Sequence, residues 1–596
     1  MVVPWVGERR RRVRDGAVDD SRGDGRSRTL VRWLPGVLAA RSYERGWLAR
    51  DLVAAVVLSA LLVPQGMAYA ELAGLPAITG LYTTVACLIA YAVFGPSPYL
   101  VLGPDSSLGP IIAAIILPLA AGSADAAVGL AGMLALLVGA VCIGAGVARL
   151  GFISDLLSQP VRLGYMAGLA VTIVVSQLPD LFGFETDGGN IVAEVQDFMA
   201  GLEETNGYAL AVGLIALAII AGLRRWRPRV PGILVAVIVT MIISAVLDLA
   251  ARGVEVVGVL PQGFPRPALP TFDVADLPLL IGGAIGITLV AIGDTVSVSA
   301  GFAARRGQEV DTDQEIVAIG TANVAAGLFS GFAVSTSSSR TAVADQAGAK
   351  SQLTGLAAAG LVLAMLLLVP GVVQWLPIPV LAAVIIVAGA TLLDVPGLGR
   401  LWRVRWSDFA IAMVSFLGVA LVGVLEGIVI AVAVSVAEIF MRAWRPYSAI
   451  LGKPEGVPGY HDLSRYPDAA RIAGLVIVRW DAPLFFANSI LFRDRIRAVV
   501  AGTSPRPRWV VVAAEPITDI DTTAADMLVK LDEELDGSGI HLIFAELKDP
   551  VRDKLARYSI YETIDSARFF PTIKAAVHAF ESERRPASTV AESEAG

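Results

Sequence analysis

Two charged residues lie where charge is costly. Asp294 sits in "LVAIGDTVSVSAGF" and Arg340 in "VSTSSSRTAV" (Val334 to Val343), each among long apolar stretches. Ionisable side chains at membrane depth are rare and face a partner or a water-filled cavity. An arginine beside a run of serines offers the chemistry of anion binding, because hydroxyls donate and a guanidinium adds a full positive charge. A carboxylate in the same half of the chain suits a group that takes up H+, or coordinates Na+, as the anion binds. Burial and a neighbouring cation push such a carboxylate in opposite directions. The structural alternatives are a pair between Arg340 and a carboxylate such as Asp345, or a fixed Asp294–Arg340 salt bridge.

The elements that must hold these groups follow from composition. The 596 residues are 55% hydrophobic and only 17% charged, against about 25% charged in soluble globular chains. The deficit is local. Residues 1–50 carry twelve arginines, and the chain beyond about Arg445 reads as a soluble domain. Between them, fourteen apolar segments begin near residues 52, 75, 98, 125, 157, 208, 231, 279, 313, 337, 352, 376, 407 and 425. Most have the length of roughly 20 residues that a helix needs to cross a bilayer. No cleavable signal peptide is expected, because the first apolar run is long and starts only near Leu52. The net charge of −7 averages unlike regions and says little about partners.

Basic clusters set the orientation. "RRWRPR" (Arg224 to Arg229), "ARRG" (Ala304 to Gly307), "RLWRVR" (Arg400 to Arg405) and "MRAWR" (Met441 to Arg445) all follow even-numbered segments. They share a side with the basic N-terminus, the cytoplasmic side by the positive-inside rule. The stretch from Pro179 to Asn206 holds seven acids and no base, as an outside loop would. An even segment count puts both termini in the cytoplasm.

Two segments are broken alike. The third reads "SPYLVLGPDSSLGPIIAAIILPLA", where a short β-like run, Tyr99 to Leu102, meets Gly103-Pro104 and then Asp105, Ser106 and Ser107. The tenth runs from Phe332–Val334 into Ser337, Ser338 and Ser339. Asp and Ser favour helix starts, so each segment should hold a half-helix. Non-helical backbone at this depth must be buried or line a cavity. The breaks occupy position three of segments one to seven and position three of segments eight to fourteen. Matching interruptions in inverted halves are the sequence pointer to a transporter binding site. Two half-helix N-termini aimed at one point make an anion site.

After about Arg471 the pattern changes. "AGLVIVRW", "WVVVAAE" and "IHLIFAEL" are strand-like, and "SILFRDRIRAVV" and "TAADMLVKLDEEL" between them are helix-like. Alternation of this kind predicts a small α/β domain. The expected organisation is a basic cytoplasmic segment 1–46, a transport domain 47–445, a linker 446–470 rich in Pro and Gly, an α/β domain 471–582, and a disordered tail 583–596.

"VPQGMAYAELAGLPAITGLY" (Val63 to Tyr82), the "GPDSS" break, "FAARRGQEVDTDQEIVAIGTANVAAGLFSGF" (Phe302 to Phe332) and "SRTAVADQAGA" (Ser339 to Ala349) together resemble the sulfate permease (SulP) family of anion transporters. The tail resembles the STAS domain that family carries. The resemblance spans about residues 35–580. It implies a multi-span α-helical membrane protein with a seven-plus-seven inverted repeat, in which segments 1–4 and 8–11 form a mobile core and the rest a gate. It further implies an anion site between segments 3 and 10, closed by segment 1. Carried over, Gln65 and Tyr69 line the cavity, Asp105 and Ser106 mark the third-segment tip, and Ser338, Ser339 and Arg340 mark the tenth. Asp294 falls where many members have Glu and some have Asp. Asp105 departs from the family, whose tip is usually uncharged: it is either an N-cap turned aside or a carboxylate protonated together with the anion.

The function this implies is secondary active transport of an inorganic oxyanion in the inner (plasma) membrane, by H+-coupled symport and an elevator-like movement. Sulfate leads, then bicarbonate, with dicarboxylates also compatible. Na+-coupled symport and an uncoupled exchanger or channel are the alternatives. A homodimer, and a cytoplasmic regulatory partner at the STAS domain, follow from the resemblance. In stand-alone STAS proteins the turn matching "ITDIDTTAADML" is phosphorylated, which makes Thr522 and Thr523 candidates; the competing role is helix capping. Cys87 and Cys142 lie in apolar runs, and His461, His541 and His578 fall at unrelated spacing. No disulfide, metal site, cofactor, nucleic-acid partner or enzymatic constellation is expected.

Overall fold

The computed structural model describes residues 34–41, 43–151, 158–184, 186, 191–227, 230–307, 309–560 and 564–584. The expected termini 1–33 and 585–596, and Arg229 of the first basic cluster, lie outside the described residues. The chain divides into one compact unit ending at Ser435 and a second beginning at Val436.

The first unit is helical. Its main helices are α1 (Leu48–Leu72), α2 (Ala77–Phe94), α3 (Gly109–Ala120), α4 (Ala124–Val147), α5 (Gln159–Ser176), α6 (Gly207–Trp226) and α7 (Gly232–Leu247). They continue with α8 (Leu277–Ala304), α9 (Thr312–Leu328), α10 (Ser338–Gln346), α11 (Leu353–Leu368), α12 (Ile378–Leu392) and α13 (Trp406–Leu417), and α14 (Val424–Trp444) runs across the division. Among the described residues seven spans, α1, α2, α4, α5, α6, α8 and α12 with the helix that continues it to Val404, are long and apolar enough to cross a membrane, and α3, α7, α11 and α13 are shorter apolar helices. Two-residue strands β1 (Leu102–Gly103) and β2 (Ser335–Thr336) precede α3 and α10.

Small residues let the helices approach backbone to backbone, the usual means of packing where lipid supplies no hydrophobic drive. Gly132, Gly139 and Gly146 recur every seven residues on α4. A Cβ on Gly139 would lie 2.7 Å from the Gly320 carbonyl of α9, and one on Gly327 would lie 2.5 Å from the Gly132 carbonyl. Local polar groups mark the helix starts: the Asn206 side chain accepts from Tyr208 N at 2.9 Å, and Asp311 from Gln314 N at 3.1 Å.

Irregular backbone inside such a unit needs partners, and side chains supply them. Asn323, fully buried, accepts from Val334 N at 2.9 Å and donates to the Val334 carbonyl at 3.2 Å. The Thr83 hydroxyl accepts from Phe332 N at 3.1 Å, and the Thr341 hydroxyl from Val101 N at 3.2 Å. The Gln352 amide donates to the carbonyls of Ser97 and Leu100 at 2.8 and 3.0 Å.

Asp51 is a second such device. Fully buried on α1, it accepts from Lys350 N at 2.6 Å, Ser351 Oγ at 2.8 Å, Thr354 Oγ1 at 3.1 Å and Tyr43 Oη at 3.2 Å. It therefore ties the start of α11 to α1. Asp51→Ala would leave these donors without their acceptor, at a cost of about 3–5 kcal/mol. The thermal unfolding midpoint of the detergent-solubilised protein should fall by several degrees, and an unchanged midpoint would refute this role.

The second unit is α/β. Strands β3 (Ser448–Gly452), β4 (His461–Asp462), β5 (Leu475–Trp480), β6 (Trp509–Ala513), β7 (His541–Ala545) and β8 (Phe569–Phe570) form one sheet in the order β4-β3-β5-β6-β7-β8. β5 to β8 pair in parallel, while β3 pairs antiparallel with β4 and β5. Helices α15 (Ser489–Gly502), α16 (Thr522–Asp536), α17 (Asp549–Arg557) and α18 (Ile573–Arg584) accompany it. The 446–470 linker is corrected here: it supplies β3 and β4, with Ser448 opposite Trp480 and Ile450 opposite Val478. Pro and Gly in its turns hid a strand whose residues Ala449 and Leu451 are buried. Under this sheet, burial pushes the Asp532 carboxyl up to about 6, opposed by Arg568 at 2.9 Å.

Candidate anion site

The broken segments meet. β1 pairs antiparallel with β2, with Leu102 opposite Thr336 and Gly103 opposite Ser335. β1 overlaps its expected run only at Leu102 and β2 begins one residue after its own, because the pairing and not local propensity selects them. The pairing places the starts of α3 and α10 side by side. In α10 the Ser337 hydroxyl is the cap, facing Arg340 N at 3.5 Å. The N–H groups of Ser338 and Ser339 precede the first intrahelical bond, and both residues are exposed.

Arg340 is fully buried. Its Nη2 donates to the Gly103 carbonyl at 3.4 Å and lies 3.7 Å from Asp105 Oδ1. Its Nε and Nη1 are buried without a hydrogen-bond partner among the described residues. A Cβ at position 103 would lie 2.7 Å from Nη1, so any side chain there would have to displace the guanidinium end. Asp345 is not the partner of Arg340, since it pairs with Arg306. Nor is there a direct Asp294–Arg340 bridge.

Asp294 is reached instead through a hydroxyl. Ser107 Oγ lies 2.7 Å from Asp105 Oδ2 and 3.3 Å from Asp294 Oδ2. Asp105 Oδ2 also accepts from Ser107 N at 3.1 Å, so Asp105 both caps its turn and faces Arg340. Asp105 is thus a cap that is not turned aside. One hydroxyl has one proton to donate, so it cannot satisfy two charged carboxylates at once.

Gln65 and Tyr69 are four residues apart on α1 and hence on one face. Both are 5% exposed, and Gln65 Oε1 is buried without a partner. Tyr69 lies within electrostatic reach of Ser106, Asp105 and Arg340. Of the sequence-selected residues, Asp105 and Arg340 meet at the β1–β2 junction, Asp294 is reached through Ser107, Tyr69 lies within electrostatic reach of the pair, Gln65 shares its face of α1, and Ser338 and Ser339 are exposed. Sequence reasoning did not select Ser107, Ser335 or Thr295. The buried Ser335 hydroxyl has no partner among the described residues, and the Thr336 hydroxyl donates to Thr295 Oγ1 at 3.0 Å. A hydroxyl next to Asp294 in "GDTVSVS" was the available signal for Thr295. No group of three His, Cys, Asp or Glu side chains suited to a metal ion occurs among the described residues.

In the second unit, Thr522 and Thr523 are the exposed first residues of α16. Asp521 caps that helix, accepting from Ala524 N at 2.8 Å.

The sequence model of the sulfate permease family matches residues 48–415, and that of the STAS domain matches 466–576. The chain belongs to the sulfate permease family. It is therefore a multi-span membrane transporter, not an enzyme, with a C-terminal STAS domain. A probable sulfate transporter of Mycobacterium tuberculosis is 41% identical over 93% of this chain and 99% of its own length. The Arabidopsis thaliana probable sulfate transporter 4.2 is 32% identical over 92% of this chain and 84% of its own. Among solved structures, the murine Slc26a9 anion transporter in its inward-facing state shares the fold, with a TM-score of 0.86 at 24% identity, covering 95% of this chain and 97% of its own. The transmembrane domain of the cyanobacterial bicarbonate transporter BicA aligns at a TM-score of 0.58 and 22% identity, over 66% of this chain and 98% of that domain. The STAS match begins after β3 and β4, so the hairpin enlarges the sheet beyond the matched region.

Proposed function

We propose that this sulfate permease family member is a secondary active transporter of an inorganic oxyanion, sulfate first and bicarbonate next, bound where the half-helices of the third and tenth segments meet. The observation that carries this reading is the buried Arg340 guanidinium with two unpartnered nitrogen atoms beside two half-helix starts. Helix N-termini and a forked cation form an anion site together. Gln65, Tyr69, Ser106, Ser338 and Ser339 complete it with polar groups. Coupling is assigned to the Asp105–Ser107–Asp294 link, which supports H+ symport, because uncoupled passage has no use for facing carboxylates. A carboxylate pair of this kind also suits Na+, so sodium-driven uptake of bicarbonate or a dicarboxylate is the second reading.

The deciding experiment is uptake of labelled sulfate, bicarbonate and succinate into proteoliposomes under imposed pH and sodium gradients. Sulfate uptake driven by an inward proton gradient is expected. Uptake of none of these anions, or uptake indifferent to both gradients, would refute the reading.

The movement in this proposal is elevator-like, in the plasma membrane, with both termini in the cytoplasm. The STAS domain is assigned to homodimer formation and to a cytoplasmic regulatory partner, with Thr522 and Thr523 as phosphorylation positions, since a phosphate at a helix N-terminus is favourable. A chain lacking residues 465–596 should lose its dimeric mass in detergent. Retention of the dimer would move the contact to the membrane domain.

A further inference from the structure

Tyr165 lies on α5 and is 4% exposed, and its hydroxyl is buried without a hydrogen-bond partner among the described residues. A buried donor left unmade is a standing cost, tolerated where another group completes it. The charged groups nearest in effect are Asp294 and Asp105, the two carboxylates of the anion site. A second contact fixes the alignment. Arg162 Nη1, one turn earlier on α5, donates to Ser297 Oγ at 2.6 Å, and Ser297 lies one turn after Asp294 on α8. Tyr165 therefore stands level with Asp294.

An adjacent face of α5 is packed on a different helix. A Cβ at Gly164 would collide with the Ala412 carbonyl of α13, and one at Gly168 would lie 2.7 Å from Val419 Cβ just beyond it. Such backbone contact packs α5 closely on α13. Tyr165 is therefore carried by a helix seated on α13, while α3 and α8 carry the neighbourhood of Asp105 and Asp294.

We propose that Tyr165 is a substrate-contacting residue supplied from the gate side, its hydroxyl donating to the bound oxyanion and closing the site opposite Arg340. This rests on the placement of the anion site given under Proposed function. The contact forms only when α5 and α3 are apposed, so it discriminates between open and closed arrangements of the site. Tyr165→Phe removes the hydroxyl and keeps the ring. For sulfate, or the anion that the uptake panel selects, it is expected to weaken equilibrium binding and raise KM about tenfold, with little change in maximal rate.

Arg340→Ala is measured in parallel. Wild-type affinity in Tyr165→Phe with lost binding in Arg340→Ala overturns the Tyr165 assignment alone. Wild-type affinity in both overturns the site beneath it. A readout independent of turnover uses Tyr165→Cys, since the native Cys87 and Cys142 are buried. Alkylation of the new thiol should be slowed by the anion, and equal rates with and without it would overturn the proposal.

Discussion

Arg340→Ala is expected to abolish measurable anion uptake and to weaken anion binding by about 100- to 10,000-fold. The magnitude follows from hydrogen bonds to charged groups, each worth about 1.5–3 kcal/mol, at about 1.4 kcal/mol per tenfold change. Two guanidinium nitrogens are unpartnered in the buried site, so two such bonds are at stake. Arg340→Lys should recover little, because an ammonium keeps the charge but lacks the planar fork. The Gly103 carbonyl would lose its donor in the alanine variant. A thermal melt must therefore accompany the binding assay and separate lost affinity from lost fold. Wild-type affinity in a folded Arg340→Ala protein would refute the site assignment.

Asp294→Asn should uncouple. The amide cannot gain or lose a proton in the working range, yet it keeps the shape that meets Ser107 at 3.3 Å. Uptake driven by an inward proton gradient should fall to the rate seen without a gradient, while anion binding and anion exchange persist. Full gradient dependence in this variant would remove Asp294 from the coupling role; acceleration by sodium alone in the wild type would transfer the role to Na+. Asp105→Asn tests the other end of the link. If the two carboxylates share a proton through Ser107, the pH of half-maximal uptake moves. An unmoved pH dependence would leave Asp105 as a turn cap beside Arg340 and nothing more.

Much of this protein was legible in its sequence. Apolar runs of spanning length are dictated by the hydrocarbon thickness, so the helices begin close to where hydropathy placed them, except α3, whose segment near 98 opens with irregular backbone and turns helical only at Gly109. The two interruptions were visible because Gly-Pro followed by Asp-Ser-Ser, and four serines ahead of Arg340, cannot continue a lipid-facing helix. The α/β alternation after Arg471 was equally plain. The strands of 446–470 were not. A short edge hairpin has too few alternating residues to stand out among Pro and Gly, and it exists because β5 offers it a partner.

By itself, then, the sequence determined the spanning helices, the broken third and tenth segments, the identities of Asp294 and Arg340 as charges that need a reason, and the family. The tertiary structure alone decided their pairings. It set β1 against β2, gave Asp345 to Arg306 and Asp105 to Arg340, joined Asp105 to Asp294 through Ser107, and brought Tyr165 to the same place from α5. Apart from Arg306–Asp345, 39 positions apart, these choices depend on contacts between residues from about 130 to 240 positions apart. Local propensity carries no information at that separation. Geometry at the junction supplies it, because a buried charge takes whichever partner the packed backbones bring within reach.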